Sequence, residues 1–194
     1  VEAMKLAFAD REAYYGDADI SSVPLDVLLS DDYNTARAKL IGKSASMDLR
    51  PGTVPGHAPI VDHDAARRAL APAGAGAGEP TVARLGSFGG DTCHLDVIDR
   101  WGNMVSATPS GGWLQSSPVI PELGFCMGTR GQMFWLRPGL PASLKPRTRP
   151  RTTLSPSMAL KDGKPWMAFG TPGGEQQDQW SPIMFLRMVH HGMN

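Results

Sequence analysis

The stretch Ala71-Pro72-Ala73-Gly74-Ala75-Gly76-Ala77-Gly78 most constrains the fold, because it carries too little apolar bulk to pack. It reads as a flexible tether, and the patterning of the chain changes across it. Before it the apolar spacing is helical. Val1, Met4, Phe8 and Tyr15 share one helical face, with Gly16 as a C-terminal stop. Pro24 suits the first turn of a short helix through Leu29, and Ser30 can cap a second helix ending near Gly42. Residues 43 to 62 are loop-like, with Pro51, Gly52, Pro55, Gly56 and Pro59, and a short helix is expected from Asp64 to Leu70.

After the tether the spacing becomes that of strands. Cys93, Leu95 and Val97 alternate with His94, Asp96 and Ile98. The segment Asp99-Arg100-Trp101-Gly102-Asn103 is a turn into a second strand, Met104 to Thr108. A further hairpin pairs Met158–Leu160 with Trp166–Phe169 through Asp162-Gly163. Gly170-Thr171-Pro172-Gly173-Gly174 then leads into a helix containing Trp180, Met184, Leu186 and Val189. Helices on either side of antiparallel strands indicate a layered α/β (α+β) fold.

Composition narrows the function. The 194 residues suffice for one core. Nineteen basic and nineteen acidic residues leave a formal net charge of +0, so no global field recruits nucleic acid or an anionic membrane. The densest basic run, Lys145-Pro146-Arg147-Thr148-Arg149-Pro150-Arg151, is broken by prolines and lacks interleaved aromatics, as in a solvated loop. The apolar runs are too short to span a bilayer. Cys93 and Cys126 form neither a metal spacing nor a disulfide framework. His94 lies on a strand as a packed residue, and His190-His191 end a helix, where cations favour the dipole. The chain opens inside a helical pattern and closes directly after a helix, which reads as a piece of a longer protein.

Thr92 stands where the tether meets the first strand, behind Gly89-Gly90-Asp91. A hydroxyl there can attack the carbonyl before it, and cleavage would leave Thr92 with an α-amine that serves as its own base. An ordinary strand-initiating threonine is the alternative on these residues alone. The surrounding motifs are more specific. They are Thr92-Cys93-His94 with Asp99 and Gly102-Asn103, Arg149-Pro150-Arg151-Thr152-Thr153-Leu154-Ser155-Pro156, Lys161-Asp162-Gly163-Lys164-Pro165, Gly170-Thr171-Pro172-Gly173-Gly174 and Gly192-Met193-Asn194. Their order, with Glu2-Ala3-Met4-Lys5-Leu6-Ala7 and Ala9-Asp10-Arg11 upstream, resembles the γ-glutamyltranspeptidase family of N-terminal-nucleophile hydrolases.

The resemblance implies a partial αββα four-layer sandwich and self-cleavage between Asp91 and Thr92. Residues 1–91, with the tether at 71–91, would end a large chain. Residues 92–194 would begin a small catalytic chain, the two forming one composite domain truncated at both ends. Thr92 would be the nucleophile, tuned by the Ser110 hydroxyl, with the oxyanion held by the backbone of Gly173 and Gly174. A phosphate loop at these glycines would lack its Lys-Ser/Thr ending. Thr152 and Thr153 stand where paired hydroxyls help bind a substrate carboxylate. In Gly128-Thr129-Arg130-Gly131-Gln132-Met133-Phe134, Gln132 and Met133 occupy the neighbourhood of acidic residues that hold a glutamyl ammonium, and Gly112 replaces a substrate-contacting asparagine. The family's carboxylate-clamping arginine would lie upstream of Val1.

The implied reaction is hydrolysis or transfer through an acyl-enzyme, with water or an amine as acceptor and no cofactor or metal. The implied partners are a small-molecule amide or γ-glutamyl substrate and the two chains of one precursor, without nucleic acid; a homo-oligomer is left open. Family members are often periplasmic or extracellular, and the compartment here is not specified. An acylase acting on a non-γ-glutamyl amide, or an unprocessed module with an assembly role, are the alternatives.

Overall fold

The computed structural model describes residues 1–64, 92–111 and 117–193. The tether, Asp91, Gly112 and most of the expected helix from Asp64 to Leu70 lie outside the described residues. The chain divides into two units, Val1–Gly74 with Met133–Arg151 and Ala75–Gln132 with Thr152–Asn194.

In the first unit α1 spans Glu2–Tyr14, and its backbone stops at Tyr15, one residue before the expected glycine. Its buried face differs from the expected one. Leu6, Ala9, Asp10, Ala13 and Tyr14 are buried, while Val1 is 85% exposed. The reason is a charge inside the unit. Arg37 donates from Nε to Asp10 Oδ2 at 3.2 Å and from Nη2 to Asp10 Oδ1 at 3.1 Å. The same guanidinium donates to the carbonyls of Leu6 and Arg50, and Gly52 N donates to Asp10 Oδ1 at 2.6 Å. A buried pair holds only when its remaining donors and acceptors are satisfied, and this one turns α1 to face it. Tyr14 O–H donates to Gly52 O at 2.5 Å, and Ala13, Tyr14, Leu28 and Val54 pack as the apolar core beside it.

Pro24 precedes α2 (Leu25–Leu28), and Ser30 caps α3 (Asp31–Ala38) by accepting from Tyr33 N at 3.3 Å. Beyond α3, Leu40 and Ile41 bond three residues back, to Arg37 and Ala38. That tighter winding brings the helix to its end before Gly42. The basic run is not simply solvated. Arg149 pairs with Asp17 at 2.9 Å and with Asp19, and Arg151 pairs with Glu12 at 2.9 Å.

In the second unit the strands form three two-stranded antiparallel sheets among the described residues. β1 (Leu95–Ile98) pairs with β2 (Met104–Ala107) in the register Leu95↔Ala107 to Ile98↔Met104. Asp99 builds the turn by accepting from Trp101 N and Asn103 N, each at 2.9 Å, and from Asn103 Nδ2 at 2.7 Å. These bonds, that of the Asn103 side chain first, hold its carboxyl below the usual range. β3 (Val119–Ile120) pairs with β4 (Phe125–Cys126), and β5 (Ser157–Lys161) with β6 (Lys164–Phe169). The β5–β6 turn has both central residues at positive φ, Asp162 at 53° and Gly163 at 74°, the conformation that matches strand twist.

α4 (Gln177–His191) follows, ended by Gly192 in the left-handed conformation. Its Phe185 stacks on Phe169 of β6 at 5.5 Å between ring centroids. The face of α4 that is buried carries Gln177 and Ser181, whereas Trp180, Met184, Leu186 and Val189 are exposed. β1 is likewise exposed along its whole length.

Candidate active site

The site begins with register. Continuing the β1–β2 pairing outward from Leu95↔Ala107 sets His94 opposite Thr108, Cys93 opposite Pro109 and Thr92 opposite Ser110. Each of these pairs is bonded. His94 Nδ1 lies 2.7 Å from Thr108 Oγ1, Cys93 N donates to Pro109 O at 3.1 Å, and Thr92 Oγ1 lies 2.6 Å from Ser110 Oγ. The Asp99 turn therefore fixes which hydroxyl faces Thr92. His94 is a packed residue, its Nε2 sitting 2.8 Å from Asp96 Oδ2 with the side chain 9% exposed.

Gly111 then lets a second segment approach. Its φ is 71°, and a Cβ there would fall 2.0 Å from Thr129 Oγ1. This closeness brings Arg130 to the hydroxyl pair. Arg130 donates from Nη2 to Ser110 Oγ at 3.0 Å and from Nη1 to Thr153 Oγ1 at 3.2 Å. Thr153 is 2% exposed, and Arg130 Nε is buried without a hydrogen-bond partner among the described residues. Thr92, Ser110, Arg130 and Thr153 thus form one connected cluster. Sequence reasoning quoted Arg130 but gave it no role, since only tertiary contact shows what it touches.

Thr152 is exposed, and its Oγ1 accepts from Leu154 N at 3.1 Å, a local turn. Gln132 is half-buried in the 3-10 turn Thr129–Met133. Gly173 and Gly174 have φ of 137° and 56° and open a 3-10 turn, Gly174–Gln176, ahead of α4. A Cβ on Gly173 would come 2.7 Å from the Trp180 ring, so the glycine there is required by space as well as by φ. No hydrogen bond joins this pair to Thr92 among the described residues. The two sides do meet, because a Cβ on Gly170 would fall 2.3 Å from the His94 ring. The start of α4 also holds the Thr153 segment, with Gln177 Oε1 accepting from Ser155 N at 3.1 Å and Asp178 accepting from Ser155 Oγ.

Among the described residues, no group of three or more His, Cys, Asp or Glu side chains could hold a metal ion. Cys93 and Cys126 are free thiols. The chemistry on hand is that of hydroxyls, a guanidinium and backbone N–H groups.

The sequence model of Gamma-glutamyltranspeptidase matches residues 1–194, the whole chain. The chain belongs to the γ-glutamyltranspeptidase family. Among relatives in this family, the glutathione hydrolase-like YwrD proenzyme of Bacillus subtilis (strain 168) is 31% identical over 100% of this chain and 30% of its own length. The solved structure of LmbA2991T421A is 58% identical, with a TM-score of 0.78 over 98% of this chain and 31% of that one. The crystal structure of a cephalosporin acylase from Bacillus halodurans is 32% identical, with a TM-score of 0.68 over 100% of this chain and 29% of that one. The chain spans 27–31% of the length of the curated relatives it matches. Family and fold neighbours thus include both glutathione hydrolase-type proenzymes and acylases.

Proposed function

We propose that the full-length protein is an N-terminal-threonine amidohydrolase or acyltransferase that cleaves itself between Asp91 and Thr92. Residues 1–91 then end the large chain and 92–194 begin the small one. The observation that carries this reading is the 2.6 Å contact between Thr92 Oγ1 and Ser110 Oγ. Arg130 donates to the same Ser110 oxygen. An oxygen that accepts from a cation becomes a better donor, so the Ser110 hydroxyl is suited to donate to Thr92 Oγ1 and to stabilise charge forming there. After processing, the Thr92 α-amine, with an ordinary pKa near ~8, takes the hydroxyl proton as Oγ1 attacks the amide carbonyl.

The tetrahedral oxyanion is assigned to the backbone N–H groups at Gly173 and Gly174. Glycine in the left-handed region at a helix start leaves those donors accessible, and the helix end favours negative charge. Collapse returns the proton to the departing amine and leaves an acyl ester on Thr92. Water then releases an acid, or an amine acceptor yields a new amide. Thr153, buried and bonded to Arg130, is suited to line the acyl side, with Thr152 adjacent to it in the chain and Gln132 close to Arg130 in the chain. The hairpins of the second unit, with apolar residues exposed along β1, support their assignment to an αββα sandwich as part of its sheet layers.

The acylase reading has an observation of its own: the cluster around Thr92 contains a cation and no carboxylate among the described residues. Rapid quenching of the processed protein with a p-nitroanilide substrate tests the acyl-enzyme. The chain beginning at Thr92 should gain the mass of one acyl group on that residue. An adduct on another residue would reassign the nucleophile.

A further inference from the structure

We propose that Met133–Arg151 is a clasp through which the small chain holds the end of the large chain after cleavage, with Glu12 as its hub. This rests on the processing reading above and names the surface on which the cut protein depends. The first unit is built from both sides of the Asp91–Thr92 bond, Val1–Gly74 and Met133–Arg151. A break at that bond therefore turns contacts within one unit into contacts between two chains.

The charges across this boundary are one-sided. Met133–Arg151 carries Arg137, Lys145, Arg147, Arg149 and Arg151 and no acid. Three of these cations reach carboxylates that precede the break. Arg137 meets Asp62 at 2.6 Å, Arg149 meets Asp17 and Asp19, and Arg151 Nη1 donates to Glu12 Oε1 at 2.9 Å. Glu12 also accepts on Oε2 from Trp135 Nε1 at 3.1 Å, and Arg11 of its own helix donates to Oε1 at 3.2 Å. The side chains of Arg137 and Arg149 are 56% and 67% exposed, those of Glu12 and Arg151 only 22% and 17%. Water weakens exposed pairs. Removing one partner of a half-buried, hydrogen-bonded pair leaves the other uncompensated, so the clasp closes on Glu12.

The apolar fit is close as well. Met133, Phe134 and Leu140 are buried, and a Cβ on Gly16 would fall 2.5 Å from Pro141 O. The segment also holds its own shape, with Trp135 N donating to Ala142 O, Leu144 N to Trp135 O and Leu140 N to Ser143 Oγ. A loop shaped in advance loses little freedom on docking. An acidic helix end on one chain and a basic preformed loop on the other are thus partners that need no peptide link.

Mixing isotopically labelled and unlabelled processed full-length protein in mild urea, and following hybrid pairs by native mass spectrometry, reads how fast the chains part. Glu12→Ala and Arg151→Ala should each speed exchange at least about tenfold. Their double variant should fall well short of the product of the two, because they break one shared contact. Glu12→Gln, which keeps an acceptor, should lie between wild type and Glu12→Ala. In the uncut Thr92→Ala protein the linked segments stay at high effective concentration, and Glu12→Gln should leave its circular dichroism spectrum unchanged. Exchange within about threefold of wild type for both alanine variants, the range of an exposed pair, would overturn the proposal. Loss of the uncut protein's fold on Glu12→Gln would overturn it too. A specific protease site between Gly78 and Glu79 of the Thr92→Ala protein makes the break without self-cleavage. Faster parting of those two pieces on Glu12→Ala upholds the clasp even where self-cleavage fails, and unchanged parting contradicts it.

Discussion

Two guanidiniums show how differently the two units use the same group. Arg37 in the first unit is 8% exposed and spends its donors on the Asp10 carboxylate and on two carbonyls. Among the described residues, Arg130 in the second unit meets the hydroxyls of Ser110 and Thr153, the first of them hydrogen-bonded to Thr92. A cation with its charge matched holds a fold together. A cation bonded to the hydroxyl that touches the nucleophile is suited to tune it. Removing the first should cost stability, and removing the second should cost turnover.

The largest expected effect is on the first of these. Arg37→Ala strands a buried Asp10 and should destabilise the protein by about 3–5 kcal/mol, read as a fall in Tm or in the denaturant midpoint. Among the described residues Arg130 has no carboxylate partner, and Arg130→Gln should change stability by no more than about 1 kcal/mol. Similar losses from both would erase the distinction between the two arginines.

Next in size is a change in the second unit that should leave the first untouched. Gly174→Val places a β-branched residue at a φ of 56° and displaces the backbone donors assigned to the oxyanion. Turnover should fall by about 3 kcal/mol of transition-state stabilisation, the cost of one such donor, with the circular dichroism spectrum retained. Near-normal turnover would move the oxyanion site elsewhere.

Ser110→Ala sharpens the link between Arg130 and Thr92. It removes the oxygen that joins them, and a bond of this kind is worth about 1–3 kcal/mol when a charged group takes part. A corresponding drop in kcat is expected for every acyl group.

The smallest effect belongs to a compensated pair at the surface of the first unit. The Arg149 side chain, then its backbone N–H, holds the Asp17 carboxyl down to about 2 from 3.8. A depressed carboxyl stabilises the folded state above its unfolded value, and that contribution disappears as pH falls from about 3.8 through about 2. Asp17→Asn should therefore lower stability slightly at neutral pH and make no difference once the pH is well below about 2. A difference that persists there would assign the effect to another interaction.

The features legible in the sequence were those decided locally. Asp162-Gly163 and Asp99 to Asn103 dictate their turns through a few neighbouring residues, and Ser30 caps α3 as its side chain requires. The Thr92–Ser110 pairing was within reach as well, since the turn at Asp99–Asn103 sets the β1–β2 register and the register sets the pair. Two features depend on distant partners. The buried face of α1 follows Asp10, and a search for apolar spacing passes over a carboxylate whose cation lies 27 residues away. Arg130 bonds residues 20 and 23 positions distant, and no periodicity reports that.

The central claim is that Thr92 becomes an N-terminal nucleophile, and intact-mass measurement of the full-length protein tests it most directly. The wild type should resolve into two chains whose masses place the break between Asp91 and Thr92, and Thr92→Ala should remain a single chain without amidase activity. A Thr92→Ala protein that still splits at this bond, or an unsplit wild type that turns over amides, would contradict the account.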